Sequence, residues 1–250
     1  MKTVFLASVA AATLIAAPAF AQDAVGSAGL SYVNSDADGF ETDGAVIDGS
    51  VATSAFGDWT VTLDGALNYS DSDGPMGDTT SAAAAHVSRI FKGVRVGGFA
   101  GFQNNELFDI ATFGAEAQKT FQRATLTGSV SYSDFLQAEA WNVGADAAYY
   151  PMAALRLNAG VGYATIDGAF GGEEIESWTY GVGAEYRVAA TPYSVFGRYE
   201  TTSYDDIDLD VDTFKIGVRY NFGGSFQDQD RAGANIGRAT RAPAALLGGI

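Results

Sequence analysis

From Thr213 to Phe222 the side chains alternate. Phe214, Ile216, Val218, Tyr220 and Phe222 fall on one face, and Thr213, Lys215, Gly217, Arg219 and Asn221 on the other, as the two-residue period of a strand requires. Charge is confined to one face. The same split separates Trp178, Tyr180, Val182, Ala184 and Tyr186 from Thr179, Gly181, Gly183, Glu185 and Arg187. It recurs along the chain and predicts twelve strands, over 25–34, 43–54, 59–70, 80–91, 93–103, 108–120, 124–134, 137–150, 153–166, 175–189, 193–203 and 211–223. The fourth is irregular: Arg89 falls in phase with Ala83, Ala85 and Val87, which predicts a bulge or a changed register.

Alternation alone also suits a soluble sheet with one wet face, so length, connections and aromatic placement decide. Most segments reach the ~9–11 residues of a tilted membrane-spanning strand, against ~5–6 in soluble sheets. Tight connections, near Phe56-Gly57-Asp58, Lys92-Gly93, Gln122-Arg123, Pro151-Met152 and Ala190-Thr191-Pro192, alternate with longer ones. The longer ones carry acidic stretches such as Ser35-Asp36-Ala37-Asp38-Gly39, Asp71-Ser72-Asp73-Gly74 and Asp205 to Asp210, as expected of extracellular loops. Aromatic residues gather at both strand ends, Trp59, Phe91, Phe121, Tyr149, Tyr193 and Phe222 by the tight turns, Tyr32, Tyr69, Tyr132, Trp141, Tyr163, Trp178 and Phe214 by the loops, where headgroups would lie. The prediction is an all-β chain: a closed antiparallel transmembrane β-barrel of about twelve strands, closed because an open edge in hydrocarbon leaves backbone groups unsatisfied.

The ends set the domains. Lys2, the apolar run Val4 to Ala16 and Ala19-Phe20-Ala21 read as a signal peptide over 1–21, with the barrel over 22–223 and a flexible periplasmic tail over 224–250. The tail, with Arg231, Arg238 and Arg241, reads as mostly unstructured; tethering in the periplasm or partial plugging of the lumen are its functional alternatives. A formal charge of −16 excludes nucleic acid as a partner. With no cysteine, disulfides, thiolate metal sites and thiol nucleophiles are excluded. The expected location is the cell outer membrane, with no cofactor and no metal.

Function is to be sought on the inward face. Arg95, Arg156, Arg187, Arg198, Lys215 and Arg219 are expected to line a pore as its basic residues, and Asp48, Asp64, Glu116, Asp146, Glu185 and Glu200 as its acidic ones. Most of the basic group lies on the last four strands, so closure would oppose a basic wall to a more acidic one, a transverse field that filters ions. The competing reading is lumenal ion pairs that brace the wall, with Glu185 and Arg187, or Arg198 and Glu200, as neighbours. Gly97, Gly101, Gly114, Gly144, Gly160, Gly162, Gly181, Gly183 and Gly217 are expected to point inward, leaving room for water or relieving a curved sheet.

The segments Tyr193-Ser194-Val195-Phe196-Gly197-Arg198-Tyr199 and Thr213 to Phe222 resemble the C-terminal strands of small Gram-negative outer-membrane porins and porin-like proteins, and the alternation extends that likeness over most of the chain after residue 21. The resemblance implies passive diffusion of small hydrophilic solutes and ions, in a family that is often trimeric. It implies as partners outer-membrane lipid and lipopolysaccharide, small polar solutes and the barrel-assembly machinery. Two other readings stay open: a non-conducting structural or adhesion barrel, and a lipid hydrolase. For the second, His86 and Ser88 share a face, but a triad also needs an orienting group and an oxyanion hole, and His86 reads as an ordinary lumenal polar residue. The chain is read as no enzyme. The acidic stretches do not complete a calcium loop.

Overall fold

In the computed structural model the described residues are 24–71, 79–104, 109–135, 138–167 and 174–239. Their strands are β1 (Val25–Ala37), β2 (Phe40–Ser54), β3 (Trp59–Asp71), β4 (Thr79–Phe91), β5 (Val94–Asn104), β6 (Asp109–Thr120), β7 (Ala124–Phe135), β8 (Ala138–Met152), β9 (Leu155–Asp167), β10 (Ile175–Arg187), β11 (Tyr193–Tyr204) and β12 (Leu209–Phe222). They follow one another round a closed barrel in which consecutive strands pair antiparallel. β1 meets β12 from Gly26 opposite Phe222 to Ala37 opposite Val211, so no edge is left to expose unpaired N–H and C=O groups. All twelve expected strands are present, and several run longer than the alternation alone indicated.

The difference is largest at the first hairpin. The acidic stretch from Ser35 to Gly39, expected to be a loop, is strand up to Ala37, and only Asp38 and Gly39 turn, with φ of 51° and 87°. Two consecutive positive φ values are the twist-matched hairpin turn that Asp-Gly favours. Lys92 and Gly93, with φ of 50° and 77°, do the same between β4 and β5. Nor does the fourth strand carry a bulge: β3 and β4 pair without a slip from Trp59 opposite Arg89 to Tyr69 opposite Thr79. Arg89 faces outward, its guanidinium 5.4 Å from the Trp59 ring centre, so a rim cation, and not a change of register, explains its phase. The irregular ladder is between β8 and β9, at Tyr149 and Met152.

The outer surface has an apolar middle band, with Leu30, Ile47, Val130, Val143, Val182 and Ile216 exposed. Above and below it lie exposed rings, Tyr69, Trp141 and Tyr180 toward the loops and Phe91, Phe121 and Tyr193 toward the turns. Toward the loops, beyond the Tyr132–Trp141 pair (centroids 5.4 Å apart), polarity reverses. Glu41, Asp134, Glu139, Asp167 and Asp212 face out, while Ala138, Ala140, Ile166, Ile175 and Tyr204 form a buried apolar cluster inside, with Leu209 and Val211 packed on it. A strand end that leaves hydrocarbon for water needs a wet outside and a dry inside, and the reversal marks where that happens.

The expected signal peptide over 1–21, the Ser72–Gly74 stretch and residues 240–250 lie outside the described residues.

Candidate functional site

Past Phe222 the chain does not trail away from the barrel. It reverses at Gly223 and Gly224, with φ of 81° and 119°, and forms a short helix, α1 (Phe226–Ala232), ending at Gly233, then a 3-10 turn, Ile236–Ala239. Ser225 caps α1: its hydroxyl accepts from the Asp228 N–H at 3.2 Å, and Asp228 accepts from the Ser225 N–H at 3.0 Å, a reciprocal capping box. Phe226, Ala234, Ile236 and Ala239 have no exposed surface. The expectation of an unstructured tail is therefore corrected for residues 224–239, which fold into the lumen at the end where β1 and β12 meet.

The segment touches the wall on every side. Gln229 donates to the Gly26 and Phe222 carbonyls at 3.0 and 3.2 Å, and Gln227 donates across the barrel to the Phe121 and Gln122 carbonyls at 3.0 and 2.9 Å. Ser50 donates to the Ala234 carbonyl, Thr62 to that of Gly233 at 3.0 Å and Arg95 to that of Arg231 at 2.7 Å. Arg187 donates to the Gly224 carbonyl at 2.7 Å. Phe226 lies under two guanidinium groups, Arg156 at 5.1 Å and Arg187 at 4.7 Å, a cation–π seat in which the ring face meets cations drawn away from water.

All twelve sequence-predicted charges are on the inner side, and the structure pairs seven of them with one another, five across strands and two within β11. Arg156 pairs with Glu185 at 2.5 Å, and Arg219 with Asp48 at 2.6 Å and with Glu185 at 3.3 Å. Lys215 lies 3.9 Å from Asp48, and Arg198 pairs with Glu200 at 2.7 Å. Of the two neighbour pairs expected, Arg198 with Glu200 forms, whereas Glu185 turns to Arg156 and Arg219 and leaves Arg187 to the C-terminal segment. Long side chains reach across a narrow, partly dry lumen, where an unpaired charge is costly, so the two signs mix more than their strand positions suggest.

On the other wall His86 is held between Asp64, 3.0 Å from Nε2, and Glu116, 3.0 Å from Nδ1, and stacks on Phe99 with centroids 5.1 Å apart. Ser88 accepts from Arg95 at 3.0 Å and has no exposed surface. The two residues that could have made a base and a nucleophile are thus engaged elsewhere. Asp146 faces Arg238 of the C-terminal segment, 3.5 Å from its Nε, and Arg238 also donates to Asp230 at 2.5 Å.

Several inward glycines make room for protein, not water. A Cβ on Gly114 would strike the Phe99 ring, one on Gly217 would come 2.8 Å from the Phe196 ring, and one on Gly144 would strike the Ala239 carbonyl. Small residues beside inward rings let a curved wall close over them. What remains between these rings, the charged pairs and the C-terminal segment is a cavity of about 430 Å³, with Ala234, Asn235, Gly237 and Arg238 on its floor and Val33, Ile110 and Val211 toward its loop end. Tyr150, Phe226, Asp230, Asn235 and Arg238 are the site residues that strand periodicity missed. The signal available for them was Ser225-x-x-Asp228 directly after Gly223-Gly224, a helix start behind a reversal.

Residues 49–222 match the family described as outer membrane protein beta-barrel domain. No curated protein matches the chain by sequence. Among solved structures, the NanC porin is similar over 77% of this chain and 100% of its own, at 7% identity and a TM-score of 0.59. An outer membrane channel from Pseudomonas putida F1 is similar over 80% of this chain and 95% of its own, at 10% identity and 0.59. The KdgM porin in complex with oligogalacturonate is similar over 78% and 99%, at 9% identity and 0.51. At such identities the likeness is one of fold. With the family match spanning most of the barrel, the chain belongs to the outer-membrane β-barrel domain family, and its place is the outer membrane.

Proposed function

We propose that the barrel is an outer-membrane channel through which small hydrophilic solutes and ions diffuse, its β1–β12 junction at the periplasmic end, and that it is not an enzyme. The observation that carries this reading is the cavity of about 430 Å³ inside the wall, bordered by Asp48, Lys215, Arg198 and Glu200. A polar interior within an apolar outer band is what a solute-conducting barrel needs. Because the lumenal charges are largely paired, ion preference is weak, and solute size and hydrogen bonding select. Oligogalacturonate, bound by the KdgM porin, makes short acidic sugars a sensible solute class to try beside neutral ones.

A second reading, a non-conducting barrel, is favoured by one specific feature: the C-terminal segment occupying the periplasmic end of the lumen. One experiment separates the two. The chain ended at Gly223, reconstituted in liposomes, admits small neutral sugars in a swelling assay if the barrel is a channel. A folded, heat-modifiable truncated barrel that admits none returns the protein to the structural class.

A further inference from the structure

We infer that Ser225–Ala239 is a gate, hinged at Gly223–Gly224, that closes the periplasmic end of the lumen and swings out to open it; this rests on the channel reading above. The segment spans the opening: Arg187 of β10 holds the Gly224 carbonyl at one side, and Gln227 reaches the β6–β7 turn at the other. The barrel ladder does not need it, since β1 and β12 pair without any residue beyond Phe222.

The seat is also of a kind that water can replace. Apart from Phe226 and the small apolar turn at Ile236, the contacts are hydrogen bonds and ion pairs, whose partners exchange for water on opening. Apart from Ala148 and Tyr150, which pack against Phe226, the wall groups uncovered on opening are guanidinium, hydroxyl and carboxylate groups, which hydrate readily; a wholly apolar socket would not release its occupant so cheaply. The hinge residues sit at φ of 81° and 119°, where glycine moves freely and other residues are strained.

The test uses the absence of native cysteine. Ser50→Cys with Ala234→Cys puts one thiol at a wall position whose side chain touches the Ala234 main chain, so the two positions are adjacent, and a disulfide verified by its mobility shift locks the segment in place. Planar-bilayer conductance is compared for the chain ended at Gly223 and for the full-length pair, oxidised and reduced. A gate gives the truncated barrel at least about tenfold the conductance of the oxidised pair, with the reduced pair switching between the two levels. Equal conductance of full-length and truncated barrels overturns the closure. Oxidised and reduced levels that coincide, both far below the truncated level, overturn the hinge and leave a fixed plug. Silence of all three folded barrels is a different failure, that of the channel reading, and the gate falls with it. Trypsin cleavage after Arg238 in the unmodified barrel reports independently of the pair: slow cutting supports opening, and full resistance overturns it.

Discussion

Tyr150, on the inner face of β8, donates its hydroxyl hydrogen to the Asp230 carboxylate of helix α1, eighty residues further along the chain. The same carboxylate accepts from Asn235 at 2.8 Å and from Arg238 at 2.5 Å, and lies 3.7 Å from Arg156. One buried anion thus ties the wall, the helix and the turn after it. Tyr150→Phe removes a single donor and weakens the seating of the segment by about 1 kcal/mol. Asp230→Ala removes the shared anion and costs the seating ~3–5 kcal/mol, as loss of one partner from a buried ion pair does. Trypsin cleavage after Arg238 therefore accelerates modestly in the first variant and by orders of magnitude in the second, and equal rates in both would show that Asp230 does not organise the seat.

A steric test targets the far end of the segment. Gly144→Ala would drive its Cβ into the Ala239 carbonyl, while the nearest wall atom, Ser129 Oγ, stays 3.4 Å away. The collision is therefore with the segment and not with the barrel. Conductance of the full chain rises toward the truncated level, and the same substitution in the chain ended at Gly223 changes nothing. A rise in both backgrounds would locate the effect in the wall instead.

Most of the barrel was legible because lipid and water impose a strict two-residue alternation, and side chains such as Phe214 and Lys215 cannot trade faces without exposing charge to hydrocarbon. Orientation of the charged residues was legible for the same reason. Their partners were not: alternation fixes the face of Glu185 but not whether its carboxylate turns to Arg187 on its own strand or to Arg156 and Arg219 on its neighbours. Arg89 misled because a long side chain at the rim can leave the apolar band without changing register. The C-terminal segment was hidden by composition. It carries few apolar residues because its surroundings are polar, so a rule that equates low hydrophobicity with disorder fails inside a lumen.

His86 supplies a test of the opposite wall. It lies between two carboxylates, of which Glu116 is fully buried. Replacing it by Leu leaves that carboxylate without its buried imidazole partner, and the barrel loses ~3–5 kcal/mol of stability. Urea unfolding followed by tryptophan fluorescence detects this as a lowered midpoint, and adding Glu116→Gln to His86→Leu recovers part of it. An unshifted midpoint would mean that the imidazole does not neutralise the pair. Phospholipid hydrolysis stays at the blank rate in every form, because Ser88 is engaged by Arg95.

The helix cap makes the gate sensitive to acid, and the sign can be worked out. Bonds from the Ser225 hydroxyl and N–H to the Asp228 carboxylate, assisted by Arg231 and Arg187 nearby, hold its pKa below the ordinary value. A helix of seven residues does not persist without its seat, so in the released segment the cap is lost and the same group titrates near ~3.9. The cap therefore contributes its full stabilisation above that value and loses it as pH falls through the lower pKa of the seated state. Asp228 is largely exposed, so solvent screens the effect and the change is modest. Full-length channels held at pH 7 and then at pH 3 open more often in acid, and Asp228→Asn opens more often already at pH 7 with a smaller further response to acid. An identical acid response in the wild-type and Asp228→Asn channels would show that the cap does not carry the sensitivity.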